Sequence, residues 1–173
     1  MPFSDGEHKK LTRQWYWDLQ PETVVDVGAG AGTYADKFRP VHKSHWTAVE
    51  IFVPNIERFD LNNKYDKVIV SDVMYIDEAW LKSDLIIAGD VIEHIPYDDV
   101  DAVIEKLLRN CKYLLVSLPI IHFEQGTVEG NPFETHHYHW GYDEMLELLN
   151  RHGTVEKSEN GDILGVYLVR GEL

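Results

Sequence analysis

Residues 24–36 read VVDVGAGAGTYAD. An apolar run of strand type leads straight into Gly28-Ala29-Gly30-Ala31-Gly32, and Thr33 opens a short helical stretch that Pro40 ends. Glycine lets the backbone turn sharply and lets a ligand approach the peptide plane. A helix that starts there offers free N–H groups and the positive end of its dipole. Strand, glycine turn and helix in that order form the first unit of a doubly wound α/β sheet, in which ligands bind at the carboxyl ends of the strands.

The same alternation continues outward. TVVDV (23–27), WTAVE (46–50), KVIVS (67–71), DLIIAG (84–89) and YLLVSL (113–118) are strand-type runs separated by amphipathic or turn-rich stretches. DLIIAG is apolar on both faces, as a buried parallel strand is. Over 98–110 the apolar residues Val100, Val103, Ile104, Leu107 and Leu108 fall at helical spacing behind Asp98 and Asp99, which suit a first turn. A second helix over 143–151 carries Met145, Leu146, Leu148 and Leu149 and ends at Gly153. An N-terminal helix over 5–18, within a 1–20 segment, has Ser4 as its cap and Leu11, Trp15 and Leu19 on one face. TVEKS (154–158), a turn at Asn160-Gly161 and ILGVYLVR (163–170) close the chain as an antiparallel hairpin. The expected fold is therefore α/β: a doubly wound, seven-stranded, mostly parallel sheet with a C-terminal antiparallel hairpin, in one domain over 1–173. The 119–142 stretch has no periodicity, and a loop that long in a compact domain is usually a lid or a substrate loop.

Composition narrows the setting. The 173 residues are 44% apolar and 27% charged, ordinary for a globular chain. Cys111 is the only cysteine, and the leucines around it make it a buried thiol in a reducing compartment. No run reaches the roughly 20 apolar residues of a membrane span, and no apolar leader opens the chain, so the expected location is the cytoplasm. The net charge of −14 repels phosphate backbones and disfavours nucleic acid as a partner. Weak basic clusters at Lys9, Lys10 and Arg13 and at Arg39 and Lys43 leave room only for a local basic mouth.

Three strand-end carboxylates surround the glycine loop. Asp26 precedes it, Glu50 ends the second strand and Asp72 follows the third. A carboxylate at position 50 can accept from two ribose hydroxyls, and one at 72 from an adenine amino group, with Val73 and Met74 covering the ring. Asp26 can face an ammonium group. Each acid also has a plainer reading as a loop cap or a solvated charge. The loop itself is G-x-G-x-G, with its third glycine one residue earlier than a dinucleotide fingerprint requires. A pyrophosphate gains nothing from three nearby acids, whereas a ligand carrying an amine, a ribose and a sulfonium gains from all of them.

With these residues in view, the chain resembles the class I S-adenosylmethionine-dependent methyltransferases over roughly 20–170. VVDVGAGAG resembles their first motif, DLIIAGDVIEHI (84–95) their fourth and YLLVSLP their fifth strand. The resemblance implies S-adenosylmethionine as cofactor, held by Asp26, Gly28, Gly30, Gly32, Glu50, Asp72, Val73 and Asp90.

Asp90, Glu93 and His94 follow the fourth strand and share one face if 90–95 begins a helical turn. The long loop adds His122, Glu124, Glu134, His136, His137 and His139, with Tyr138 and Trp140 among them as lid or core. Oxygen and imidazole ligands of this kind can hold a divalent metal, Mg²⁺, Mn²⁺ or Zn²⁺. D-x-x-E-H followed by a distant histidine resembles the E-x-x-E-H pattern of two metal-dependent O-methyltransferase groups, one in ubiquinone biosynthesis and one that caps small RNAs on a 2′-hydroxyl. That resemblance implies Asp90, Glu93, His94 and His136 as ligands, with Glu93, His94 and His136 catalytic. A metal-free role, with His94 as base or substrate-positioning group, stays open beside it, as does a purely structural one. The expected activity is O-methylation of a small-molecule hydroxyl. RNA 2′-O-methylation and a non-catalytic S-adenosylmethionine-binding subunit are the alternatives, and a homodimer or a partner subunit is left open.

Overall fold

The computed structural model describes residues 6–122 and 124–173; the expected cap at Ser4 lies outside the described residues. Seven strands form one sheet: β1 (Thr23–Val27), β2 (His45–Glu50), β3 (Lys67–Val70), β4 (Ser83–Gly89), β5 (Cys111–Pro119), β6 (Thr154–Asn160) and β7 (Leu164–Arg170). Six helices flank it: α1 (Lys9–Leu19), α2 (Thr33–Phe38), α3 (Val53–Arg58), α4 (Leu61–Lys64), α5 (Tyr97–Arg109) and α6 (Tyr142–His152). The sheet order is β3-β2-β1-β4-β5-β7-β6. The pairs from β3 to β5 are parallel, while β7 inserts antiparallel between β5 and β6. The expected doubly wound sheet and closing hairpin are both present.

Strand parity builds two apolar layers. Val25, Val27, Ile86, Ala88, Leu114 and Val116 point to one face and pack under α5 and α6. Val24, Ala48, Leu85, Ile87 and Leu115 point to the other, against Trp15, Tyr16, Phe38 and Trp46. Side chains alternate along a strand, so one buried parallel run serves both layers. Cys111 is fully buried, and that burial pushes its thiol up to about 12. Among the described residues no helix is long and apolar enough to cross a membrane.

The order reverses between β1 and β4, which run side by side from opposite halves of the sheet. That is where a doubly wound sheet opens a crevice at its carboxyl edge. Two α-helices were not expected. Helices α3 and α4 occupy VPNIERFDLNNK, whose proline, asparagines and aspartate read as turn residues. They cover the carboxyl end of β2, and their shortness hides any apolar period.

Phe38 is fully buried and meets Tyr34 edge-on at 5.3 Å between ring centroids. Phe38→Ala is expected to cost about 3–5 kcal/mol. Urea unfolding should show a lower midpoint at unchanged slope, and an unchanged midpoint would contradict this packing.

Candidate active site

The carboxyl ends of β1, β2, β3 and β4 enclose a cavity of about 320 Å³, within the range of small-ligand sites. Its floor is the glycine turn. Gly28 has φ +64° and a Cβ there would stand 2.5 Å from Val91 Cγ2. The N–H groups of Gly28 and Ala29 both donate to Val49 O, at 2.9 and 3.2 Å. Across the turn, a Cβ on Gly89 would fall 2.1 Å from the ring of Tyr34, which lines the cavity. A glycine at each of these places leaves room for the Val91 and Tyr34 side chains against the backbone.

Glu50 is buried and lines the cavity beside this turn. Its Oε2 accepts from Gly30 N–H at 2.8 Å and its Oε1 from Phe52 N–H at 2.8 Å. Burial raises its pKa, and the two backbone bonds oppose that rise. Each oxygen keeps a second lone pair. Asp72 lines the far wall with Val73 and Met74, and its Oδ1 accepts from Met74 N–H at 2.8 Å. Lys106 Nζ holds that corner from behind by donating to the carbonyls of Val73 and Met74, each at 2.9 Å.

Asp26 is not among the residues that line the cavity. Val27 lines it, so Asp26, one residue earlier on the strand, faces the other layer. There it is buried and accepts from the Tyr65 hydroxyl at 2.6 Å. Close by, the buried Lys9 donates through Nζ to the Tyr34 hydroxyl at 2.9 Å. Gly32, at φ +77°, likewise supports the turn without lining the cavity. Sequence reasoning passed over Tyr34 and Asn55 as lining residues. Tyr34 carried a signal, two residues beyond the last glycine of the turn; Asn55 lies on the unexpected α3.

The expected helical turn after β4 is a 3₁₀ turn over Ile92–His94. Asp90 lies outside it at φ 56°, its N–H donating to Ser117 O at 2.7 Å. Continued pairing with β5 therefore parts Asp90 from the turn. Ligand atoms of Glu93, His94 and His136 lie within 4.8 Å of one another, and Asp90 does not belong to this group. Asp90 and His94 do line the cavity, as do Glu134 and His137 of the long loop; Glu93 and His136 sit behind them.

The loop is tied to the turn by its backbone. His137 N–H donates to Glu93 O at 2.8 Å, and His136 N–H to Gln125 O at 2.9 Å. His94 Nδ1 is 3.1 Å from Thr135 O. A carbonyl can only accept, so Nδ1 carries the proton and Nε2 keeps its lone pair. Burial pushes the His94 pKa down to about 4, so the ring is neutral near pH 7. Glu93 is buried, and neither carboxylate oxygen receives a hydrogen bond among the described residues. Burial, then the charge of Asp90, holds its pKa well above the usual carboxylate range. Further out, His139 lies between His136 and the exposed His122, with ring centroids 6.0 and 4.1 Å away. Trp140 is core, stacked on Tyr97 at 5.6 Å.

Burial pushes Asp26 up to about 7. Between the ordinary aspartate range and that value the folded chain holds a proton the unfolded chain has lost. This contribution to stability therefore falls as pH rises through the window. The depressed His94 works in the opposite sense between about 4 and its ordinary 6.5. Asp26→Asn should thus gain roughly 1–3 kcal/mol on wild type between pH 5 and pH 8 in urea titrations. A difference that stays flat or reverses would contradict the burial argument.

The sequence pattern of the methyltransferase-domain family matches residues 8–156. No curated protein matches the chain in sequence at a significant level. Among solved structures, the small RNA methyltransferase HEN1 superposes with a TM-score of 0.76 at 18% identity, over 96% of this chain and 25% of that one. The PH0226 protein from Pyrococcus horikoshii OT3 gives 0.72 at 16% identity, over 95% of this chain and 88% of that one. Magnesium protoporphyrin IX methyltransferase (ChlM) from Synechocystis PCC 6803, solved with bound SAH, gives 0.70 at 16%, over 95% and 83%. At such identities these likenesses establish the fold. The family pattern, which spans most of the chain, establishes more: this protein belongs to the class I S-adenosylmethionine-dependent methyltransferases.

Proposed function

We propose that the chain transfers the methyl group of S-adenosylmethionine to a hydroxyl oxygen of a small molecule, with a divalent cation bound by Glu93, His94 and His136. The observation that carries this is Glu93. Two buried carboxylate oxygens without a donor among the described residues, beside a neutral imidazole whose Nε2 is 4.0 Å from Glu93 Oε1, fit a cation ligand set. Bound there, Mg²⁺, Mn²⁺ or Zn²⁺ would lower the pKa of an acceptor hydroxyl.

The chain's own residues do the positioning. Glu50 accepts from the ribose hydroxyls with the lone pairs its backbone bonds leave over. Asp72 and Val73 take the adenine edge, and Gly28 and Gly30 let the amino-acid end lie against the peptide plane, with Gly32 and Asp26 behind them. The cofactor's cationic groups relieve the repulsion among Glu50, Asp72 and Asp90. In-line transfer needs chiefly alignment of oxygen and methyl carbon, and fixed placement supplies much of the rate. Without a cation, His94 Nε2 can take the hydroxyl proton directly, because the neutral ring lines the cavity. The intact Glu93–His94–His136 group argues for an enzyme over a non-catalytic binding subunit.

Glu50→Ala should weaken S-adenosylmethionine about 10–100-fold in calorimetry, since hydrogen bonds to a charged group are worth about 1.5–3 kcal/mol. His136→Ala should leave cofactor affinity within about twofold and cut turnover by roughly 10–100-fold, as loss of a metal-site group does. Mg²⁺, Mn²⁺ or Zn²⁺ should bind wild type and fail to bind Glu93→Gln. Full turnover in the His136 variant would remove it from the mechanism, and no cation binding to wild type would leave the His94 route.

A further inference from the structure

We infer that Lys106, which does not line the cavity, is the positioning residue through which the site tells an adenine amino group from a 6-oxo group. The inference rests on the proposed cofactor reading and adds to it the group that holds Asp72 in place.

The coupling runs through one peptide. Its carbonyl, Val73 O, accepts from Lys106 Nζ at 2.9 Å. Its N–H, that of Met74, donates to Asp72 Oδ1 at 2.8 Å. The two ends of a trans peptide point in opposite directions, and the described chain has no cis bond. Fixing the carbonyl on one side therefore fixes the N–H on the other, and with it one oxygen of the Asp72 carboxylate. Lys106 also donates to Met74 O at 2.9 Å, so the next peptide is held as well. The Asp72 carbonyl closes the turn from within, accepting from the N–H groups of Tyr75 and Ile76 at 3.1 and 2.9 Å. An ammonium on the carbonyl end polarises the peptide and strengthens its N–H as a donor to the carboxylate.

Lysine suits this place. Lys106 stands in the last turn of α5, where the helix dipole favours a cation, and its side chain is half-buried. Its stem can lie along apolar surface while the ammonium spans two carbonyls.

The carboxylate so held has one polarity. Asp72 lines the cavity, and with Oδ1 on Met74 its Oδ2 is the oxygen left for a ligand. That oxygen accepts from an exocyclic amino group and repels an oxo group at the same position. A carboxylate free to turn would lose much of this discrimination.

The same helix supplies a control. Arg109 Nη2 donates to Glu78 Oε1 at 2.8 Å, and Asn110 Nδ2 to Glu78 Oε2 at 2.7 Å. These bonds fasten α5 to the same β3–β4 connection without touching the 73–74 peptide.

The test is calorimetry on the full chain with SAH and with S-inosylhomocysteine, its deaminated analogue. Wild type should prefer SAH by about thirtyfold or more. Lys106→Met should weaken SAH about tenfold, leave S-inosylhomocysteine within about threefold, and so narrow the ratio to about tenfold or less. Lys106→Gln, which can donate to one carbonyl and serves if the Met variant does not fold, should give an intermediate ratio. Arg109→Met should lower the thermal midpoint and leave the ratio within about twofold. An unmoved ratio in the Lys106 variants, or an equal fall in Arg109→Met, would overturn the inference while SAH binding upheld the proposed function. Equal wild-type affinities for the two ligands would overturn it too and take the adenine away from Asp72. No SAH binding to wild type would sink the proposed function with it.

Discussion

The carboxylate of Glu50 accepts the Gly30 N–H with one oxygen and the Phe52 N–H with the other. This ties the glycine turn after β1 to the chain leaving β2. The turn needs such a tie because Gly28, Gly30 and Gly32 all take positive φ, a shape glycine permits without enforcing. With Glu50 in place, β1 and β2 end at one level, and the cavity opens where the strand order reverses. The bonds cost a buried charge, and burial accordingly raises the Glu50 pKa. A cationic ligand beside it would offset that cost, so in the proposed function the same carboxylate shapes the turn and receives the adenosyl amino acid.

Much of this was legible in residue order. VVDVGAGAG announces strand and turn, and the apolar runs at 84–89 and 113–118 announce buried parallel strands that reappear with ends shifted by a residue or two. Glu50 and Asp72 end up on the cavity wall because strand ends are where a doubly wound sheet puts them. The side chosen by Asp26 was misread, since the sequence suggested an acid facing an ammonium group. Val25 and Val27 share one face of a pleated strand, so the residue between them points away from a cavity that Val27 lines.

What escaped the sequence depends on contacts between distant segments. D-x-x-E-H at helical spacing sets Asp90, Glu93 and His94 together, yet pairing of Asp90 with Ser117 throws it out of the turn. Glu134 and Phe133 belong to a stretch without period, and long-range bonds such as those of His136 N–H, His137 N–H and His94 Nδ1 fix which of its side chains meet the cavity. No local pattern encodes such a pairing. His136 behind the wall and His137 on it are neighbours in sequence with different surroundings for that reason.

The central claim is that the acid-walled turn receives the adenosyl amino acid. A crystal structure of the protein with SAH tests it most directly. The account predicts the ribose hydroxyls on the Glu50 carboxylate, the adenine beside Asp72 and Val73, and the sulfur facing the side of the cavity where His94 stands. A nucleoside lying elsewhere, with no ribose hydroxyl on Glu50, would contradict it.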